Sequence, residues 1–188
     1  SGADTLLGGG DPEGARALLE EAGYDGTPIV LMQPTDVTSL INQPVVAAQA
    51  LRNAGFQVDM QAMDWQTLVN RRASMDAPED GGWNIFFTNW QIPEINDPLI
   101  NVMLNGRGDE GWFGWPEDEA LEQLRADFIA ADSEDEQREV TQQIQAYVLE
   151  EVIYIPLGQY NMPQARRNTI EGMIPSPVPV FWNMEKTD

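Results

Sequence analysis

The sequence predicts an α/β domain, a sheet covered by helices. Two observations carry this reading. Segments opened by Asp-Pro or Pro-Glu repeat apolar residues at helical spacing. Between them stand short runs that are either continuously apolar and β-branched or strictly alternating, and glycine closes several of the runs.

Asp11-Pro12-Glu13 opens the first helix with an N-cap carboxylate, a proline at the first helical position and an acid in the first turn. Ala15, Leu18, Leu19 and Ala22 form its apolar face, and Gly23 ends it. Residues 27–32 are a buried strand. A polar turn, Gln33-Pro34-Thr35-Asp36, leads to a helix within 39–54, with Pro44 in its first turn and Val46, Ala47, Ala50, Leu51 and Ala54 as its face. Phe56, Val58, Met60 and Ala62 alternate with polar residues, the pattern of a half-buried strand. Asp64 caps a helix carrying Trp65, Leu68 and Val69. Residues 83–89 read as a third strand running into Trp90. Asp97-Pro98 opens a short helix through Leu104. The stretch 106–116 is rich in glycine and aromatics and reads as neither element. Residues 116–119 open a helix with Leu121, Leu124, Phe128 and Ala131 inward. Ser133 and Glu136 form a capping box for a second one, with Val140, Ile144, Tyr147 and Val148 inward. Residues 153–158 read as a last strand, and the proline-rich remainder as extended chain.

Composition narrows the chemistry. The chain has 188 residues, 42% hydrophobic, including six Trp, enough apolar material for a core. Asp and Glu number 31 against 10 Lys and Arg, a net charge of −21. Such a surface repels phosphate backbones and anionic lipid, so no nucleic-acid partner is expected. There is no Cys and no His. Thiol catalysis, serine–histidine chemistry and Cys- or His-ligated metals are thereby excluded, and neither a metal nor a cofactor is expected. No apolar run reaches the ~18 residues of a membrane helix. The first four residues do not read as a signal peptide. The glycine-rich segments lack the lysine and the strand-to-helix context of a phosphate loop.

The aromatics are the strongest functional signal. Trp90 stands at a strand end, where open α/β sheets bind ligands. Trp112, Phe113 and Trp115 crowd one loop between glycines, as a satellite core or as a ligand-stacking surface. Many acids sit in helix first turns, where capping explains them. Asp36 and Glu94 lie in loops near the aromatics, where turn and capping duty competes with contact to a cationic or polyhydroxy ligand. A glycosidase-like hydrolase would need two facing carboxylates, one with a raised pKa. A protein-interaction domain would use the patch from Trp112 to Trp115 as a convex surface.

Taken in order, the segments resemble the family 5 extracellular solute-binding proteins, the peptide, oligopeptide and nickel receptors of ABC importers. The resemblance is carried by DPEGARALLEEAGYDG, VVAAQALRNAGFQVDMQAMDW, WNIFFTNW, DEALEQLRADFIAADSEDEQREVTQQIQAYVLEEVIYIPLG and MPQARRNTIEGMIPSP, collinear over residues 11–183. It implies a type II periplasmic-binding-protein-like lobe with a mixed sheet flanked by helices, one of two lobes that close on a solute. Residues 1–10 are then a linker or cloning remnant, 11–165 the C-terminal lobe, and 166–188 a return segment toward a missing N-terminal lobe. The implied partners are a small solute or peptide, that other lobe and ABC permease subunits, in a periplasmic or extracellular location, with no catalysis. The ligand-binding candidates are Gln33, Asp36, Trp90, Glu94, Trp112 and Trp115. Two peptide anchors of the family are not evident. Residues 33–36 contain no arginine for a peptide carboxylate. The usual aspartate for the peptide amine falls at Pro93, with Glu94 beside it.

Overall fold

The computed structural model describes residues 10–187. The expected linker at residues 1–10 therefore lies outside them except for Gly10. The chain forms two compact units, divided between Asn89 and Trp90.

In the first unit α1 (Pro12–Glu21) starts as expected, with Asp11 accepting from the Gly14 N–H at 2.9 Å. Its apolar face is only partly covered, with Ala15 and Leu19 half-buried and Leu18 67% exposed. A hydrogen bond also holds the helix, Arg16 donating to the carbonyl of Asn53 at 2.8 Å. β1 (Ile29–Pro34) is the apolar centre of the unit, with Val30, Leu31 and Met32 all buried. It pairs in parallel with β2 (Val58–Met63), Leu31 opposite Met60. The crossover between them is α2 (Gln43–Asn53), with Pro44 in its first turn. Its buried face is Pro44 and Ala48, flanked by Ala47 and Leu51, so Val46 is turned out and 70% exposed. α3 (Trp65–Arg71) is capped by Asp64, which accepts from both the N–H and the hydroxyl of Thr67. Leu31, Leu40, Ala48 and Phe87 make the core of this unit.

The third strand expected at 83–89 is reduced to one bridge, Leu31 to Ile85. The cause is local. The Asn84 side chain accepts the Val30 N–H at 2.8 Å, while the backbone N–H groups of Asn84 and Ile85 both donate to the Val30 carbonyl. A side chain thus takes a place in the ladder that a second backbone carbonyl would fill.

In the second unit α4 (Ile92–Ile95) is one short turn after Trp90. The helix expected from Asp97 shrinks to a 3-10 turn at Val102–Leu104, because Asp97 folds back onto the Leu99 N–H at 2.7 Å. α5 (Glu119–Ala130) begins after Asp118 and not at Pro116. Residues 106–108 and 116–118 are instead held together as a short antiparallel bridge, the Gly108 N–H on the Pro116 carbonyl and the Asp118 N–H on that of Gly106. A Cβ on Gly106 would lie 2.6 Å from the Asp118 carbonyl oxygen, so this approach needs glycine. α6 (Glu134–Glu150) packs on α5 through Leu121, Ile144 and Val148 with Leu104. Ser133 caps it, but Glu136 reaches the N–H of Asp132 and not that of Ser133, so the expected reciprocal box is displaced by one residue.

The strand expected at 153–158 does not form, and Ile155 and Leu157 are 67% and 59% exposed. A β-branched run becomes a strand only when another strand satisfies its backbone, and none of the described residues pairs with it. Beyond it the chain is mostly irregular and exposed, with one two-residue antiparallel ladder, β3 (Ile170–Glu171) with β4 (Glu185–Lys186).

Candidate functional site

The six candidate residues divide between the units. In the first, Gln33 is half-buried one residue before the end of β1, and its amide donates to the Ile41 carbonyl at 3.0 Å, shaping the loop into α2. Asp36 is exposed, and its Oδ1 accepts from the Trp65 N–H at 2.8 Å, at the start of α3. Helix-capping geometry thus occupies one of its oxygens.

In the second unit the structure brings Trp90, Trp112 and Trp115 together with Phe113. Trp90 meets Trp112 edge to face at 5.5 Å between centroids, Trp112 meets Phe113 at 5.3 Å, and Phe113 meets Trp115 at 6.3 Å. All four rings are half-buried. The turn that carries three of them closes with the Trp115 N–H on the Trp112 carbonyl at 2.9 Å. It needs a positive φ at its third position, which Gly114 supplies at 103°. Trp115 itself is held at φ 46°, an unfavourable region for a bulky side chain. The Trp90 Nε1 is buried and has no hydrogen-bond acceptor among the described residues.

Glu94 is exposed and completes a capping box on α4, its Oε2 accepting from the Gln91 N–H at 3.0 Å. Gln satisfies the same box, so Glu94→Gln removes the charge and keeps the cap. That substitution is expected to leave thermal stability unchanged.

Beside the aromatic turn lies a cavity of about 90 Å³ lined by Val102, Met103, Asn105, Trp112, Phe113, Gly114, Pro116, Ile153 and Tyr154. The 3-10 turn and the segment after α6 meet here through Asn101, which is 3% exposed. Its Oδ1 accepts the Met103 N–H at 3.1 Å and its side chain bonds to Tyr154. Burial pushes the Tyr154 phenol up, and the bond from Asn101 pulls the other way. None of the cavity residues outside the aromatic turn was anticipated from the sequence. The available signal was Asn101 itself, a lone amide inside the apolar string from Leu99 to Leu104.

The aromatic loop is anchored to α5 by Glu122, whose Oε1 accepts from the Gly106 N–H at 2.9 Å and from Arg125 at 2.6 Å. Burial alone would raise its pKa. The Gly106 bond, the Arg125 bond and charge, and the Arg107 charge together outweigh burial and hold it below 4.5. A depressed folded pKa contributes stability that is complete above the unfolded value and is lost as pH falls through the folded one. The stability of this unit is therefore expected to decline below about pH 4.5, and Glu122→Gln to flatten that decline in urea titrations at stepped pH.

Among the described residues no group of three or more carboxylates is arranged to hold a metal, and no helix is long and apolar enough to cross a membrane. Asp25 and Asp64 are held below the ordinary carboxylate value by the hydroxyls and then the N–H groups of Thr27 and Thr67. With Glu122 they are shifted in the direction opposite to that of a general acid.

Residues 2–111 match the family described as bacterial extracellular solute-binding proteins, family 5, middle region. Over 178 residues the chain is 36% identical to a probable peptide ABC transporter periplasmic-binding protein, y4tO, of Sinorhizobium fredii, covering 95% of this chain and 34% of that protein. It is 28% identical over 176 residues to di/tripeptide-binding protein 4 of Pseudomonas aeruginosa, covering 89% of this chain and 32% of that one. The chain thus spans about a third of the length of these relatives. The fold is shared with the crystal structure of the ABC transporter substrate binding protein CtaP of Listeria monocytogenes, with a TM-score of 0.61 at 17% identity over 76% of this chain and 28% of that one. It is accordingly an α/β fold of the periplasmic-binding-protein kind, and the chain belongs to the family 5 bacterial extracellular solute-binding proteins.

Proposed function

We propose that this chain is a ligand-binding lobe of a larger receptor that captures a peptide-like solute outside the cytoplasmic membrane and presents it to an ABC permease. The observation that carries the reading is the aromatic ladder from Trp90 to Trp115, half-buried beside a cavity in a chain of this family. The names of two relatives supply the solute class, peptides. No bond is made or broken. A solute held between this lobe and the rest of the receptor favours the closed form, which the permease would recognise.

The exposed apolar residues fit a partial receptor. Ile155, Leu157, Tyr160 and Met162 lie 51–70% exposed in one segment, and Phe181 and Trp182 are 70% and 92% exposed. Such a concentration reads as surface that another part of the receptor covers.

The test is direct. Full-length receptor purified without denaturation is analysed by mass spectrometry for carried solute, and di- and tripeptides are then titrated by calorimetry. Peptide binding with a stoichiometry of one supports the reading. A receptor that carries no peptide and binds none of them overturns it.

A further inference from the structure

The cavity beside the ladder is built for a particular kind of group. Its walls are Val102 and Met103 from the 3-10 turn, Trp112 and Phe113 from the aromatic turn, and Ile153 with the ring of Tyr154 from the segment after α6. Two polar tips around it are engaged. Tyr154 is bonded to Asn101, and Asn105 Oδ1 accepts from the N–H and Nε–H of Arg107 at 3.0 and 3.3 Å. A guest meets mostly carbon and sulfur, and a charged group would lose most of its water without replacement.

Size narrows the guest further. The cavity measures about 90 Å³. An apolar cavity that accepts benzene measures roughly 150 Å³. A branched group of three or four carbons suits this smaller space. The walls are held firmly. Trp115 at φ 46° and Gly114 at φ 103° fix the aromatic turn in a conformation the surrounding packing must sustain. Met103 is the one flexible wall, suited to closing on a guest of slightly different shape.

We propose that this cavity is a side-chain subsite for an aliphatic residue of the bound peptide, of valine or leucine size. The inference rests on the peptide reading and names the side-chain class that reading leaves open.

Two measurements on the full-length receptor test it. In the first, Ala-Ala-Ala-based tripeptides carrying Gly, Val, Leu, Phe or Lys at each position in turn are titrated by calorimetry. At one position Val or Leu is expected to bind at least about tenfold tighter than Gly, from burial of three or four carbons, and Phe and Lys to lose that gain. Val102→Phe, at a lining position 39% exposed, should fill the cavity and bring the Leu-to-Gly ratio close to one. The second measurement does not depend on peptides. Millimolar isobutanol should shift the methyl resonance of Met103, and Val102→Phe should abolish the shift. A Met103 shift without any tripeptide binding keeps the aliphatic cavity and overturns the peptide reading, and with it the subsite. Tripeptides that bind with no preference at any position, together with an unmoved Met103, overturn the cavity assignment and leave the peptide reading standing. A preference for Phe or Lys overturns the aliphatic specificity.

Discussion

Leu31→Ala is expected to destabilise the unit of residues 10–89 by about 2–5 kcal/mol, read as a shift of its urea midpoint. Leu31 is fully buried at the middle of β1, with Met60 opposite it on β2 and Ile85 bridged on its other side. Its side chain belongs to the cluster of Leu40, Ala48 and Phe87. Deleting three carbons there removes their transfer free energy and leaves a hole, because neighbours fixed by the parallel ladder and by α2 collapse only in part. Val46→Ala on α2 provides the contrast. Val46 is 70% exposed, so its truncation should stay within about 0.5 kcal/mol of the parent. Equal shifts for the two variants would mean that β1 is not the centre of this unit.

That contrast marks what was legible in the sequence. Strong local signals held. Asp11 and Asp64 cap the helices they precede, and Pro44 sits in the first turn of α2. The continuous apolar run at 29–32 is a buried parallel strand, the usual reading of such a run. Which side of a helix faces inward was less legible. Val46 and Leu18 fit an apolar stripe by spacing and are exposed all the same, because the stripe on α2 is rotated toward Pro44 and Ala48, and α1 is held by Arg16. The runs at 83–89 and 153–158 failed for a different reason. Strandness depends on a neighbour that no local pattern encodes, and Asn84 or the lack of a partner decided the outcome.

The site was partly legible in the same way. Glycines flanking Trp112, Phe113 and Trp115 signalled a tight aromatic turn, and the turn brings these rings to Trp90. The acids were ambiguous by nature. A carboxylate near a helix start suits a ligand and suits a cap, and both Asp36 and Glu94 accept N–H groups at helix starts. The cavity was not legible, because it joins residues 102–105 to 153–154 across some fifty positions through the buried amide of Asn101.

On the proposed peptide reading, Trp90→Ala is expected to weaken peptide binding by the full-length receptor about thirtyfold or more, since truncating an aromatic anchor at a binding surface commonly removes at least ~2 kcal/mol. The ring is half-buried at the start of the ladder and packs edge to face on Trp112, so its loss also removes one of the contacts of that ring. Trp90→Phe separates ring from donor. The indole N–H is buried with no acceptor among the described residues, an arrangement that disfavours the free protein by about 1–3 kcal/mol. Removing that donor should therefore leave the melting temperature unchanged or higher. If closure brings a ligand carbonyl to the indole, the same substitution should lower affinity about tenfold while stability holds, a combination that simple loss of packing does not produce. Trp90→Phe with parental affinity would assign Trp90 to packing area alone. Parental affinity in both variants would remove Trp90 from the binding surface.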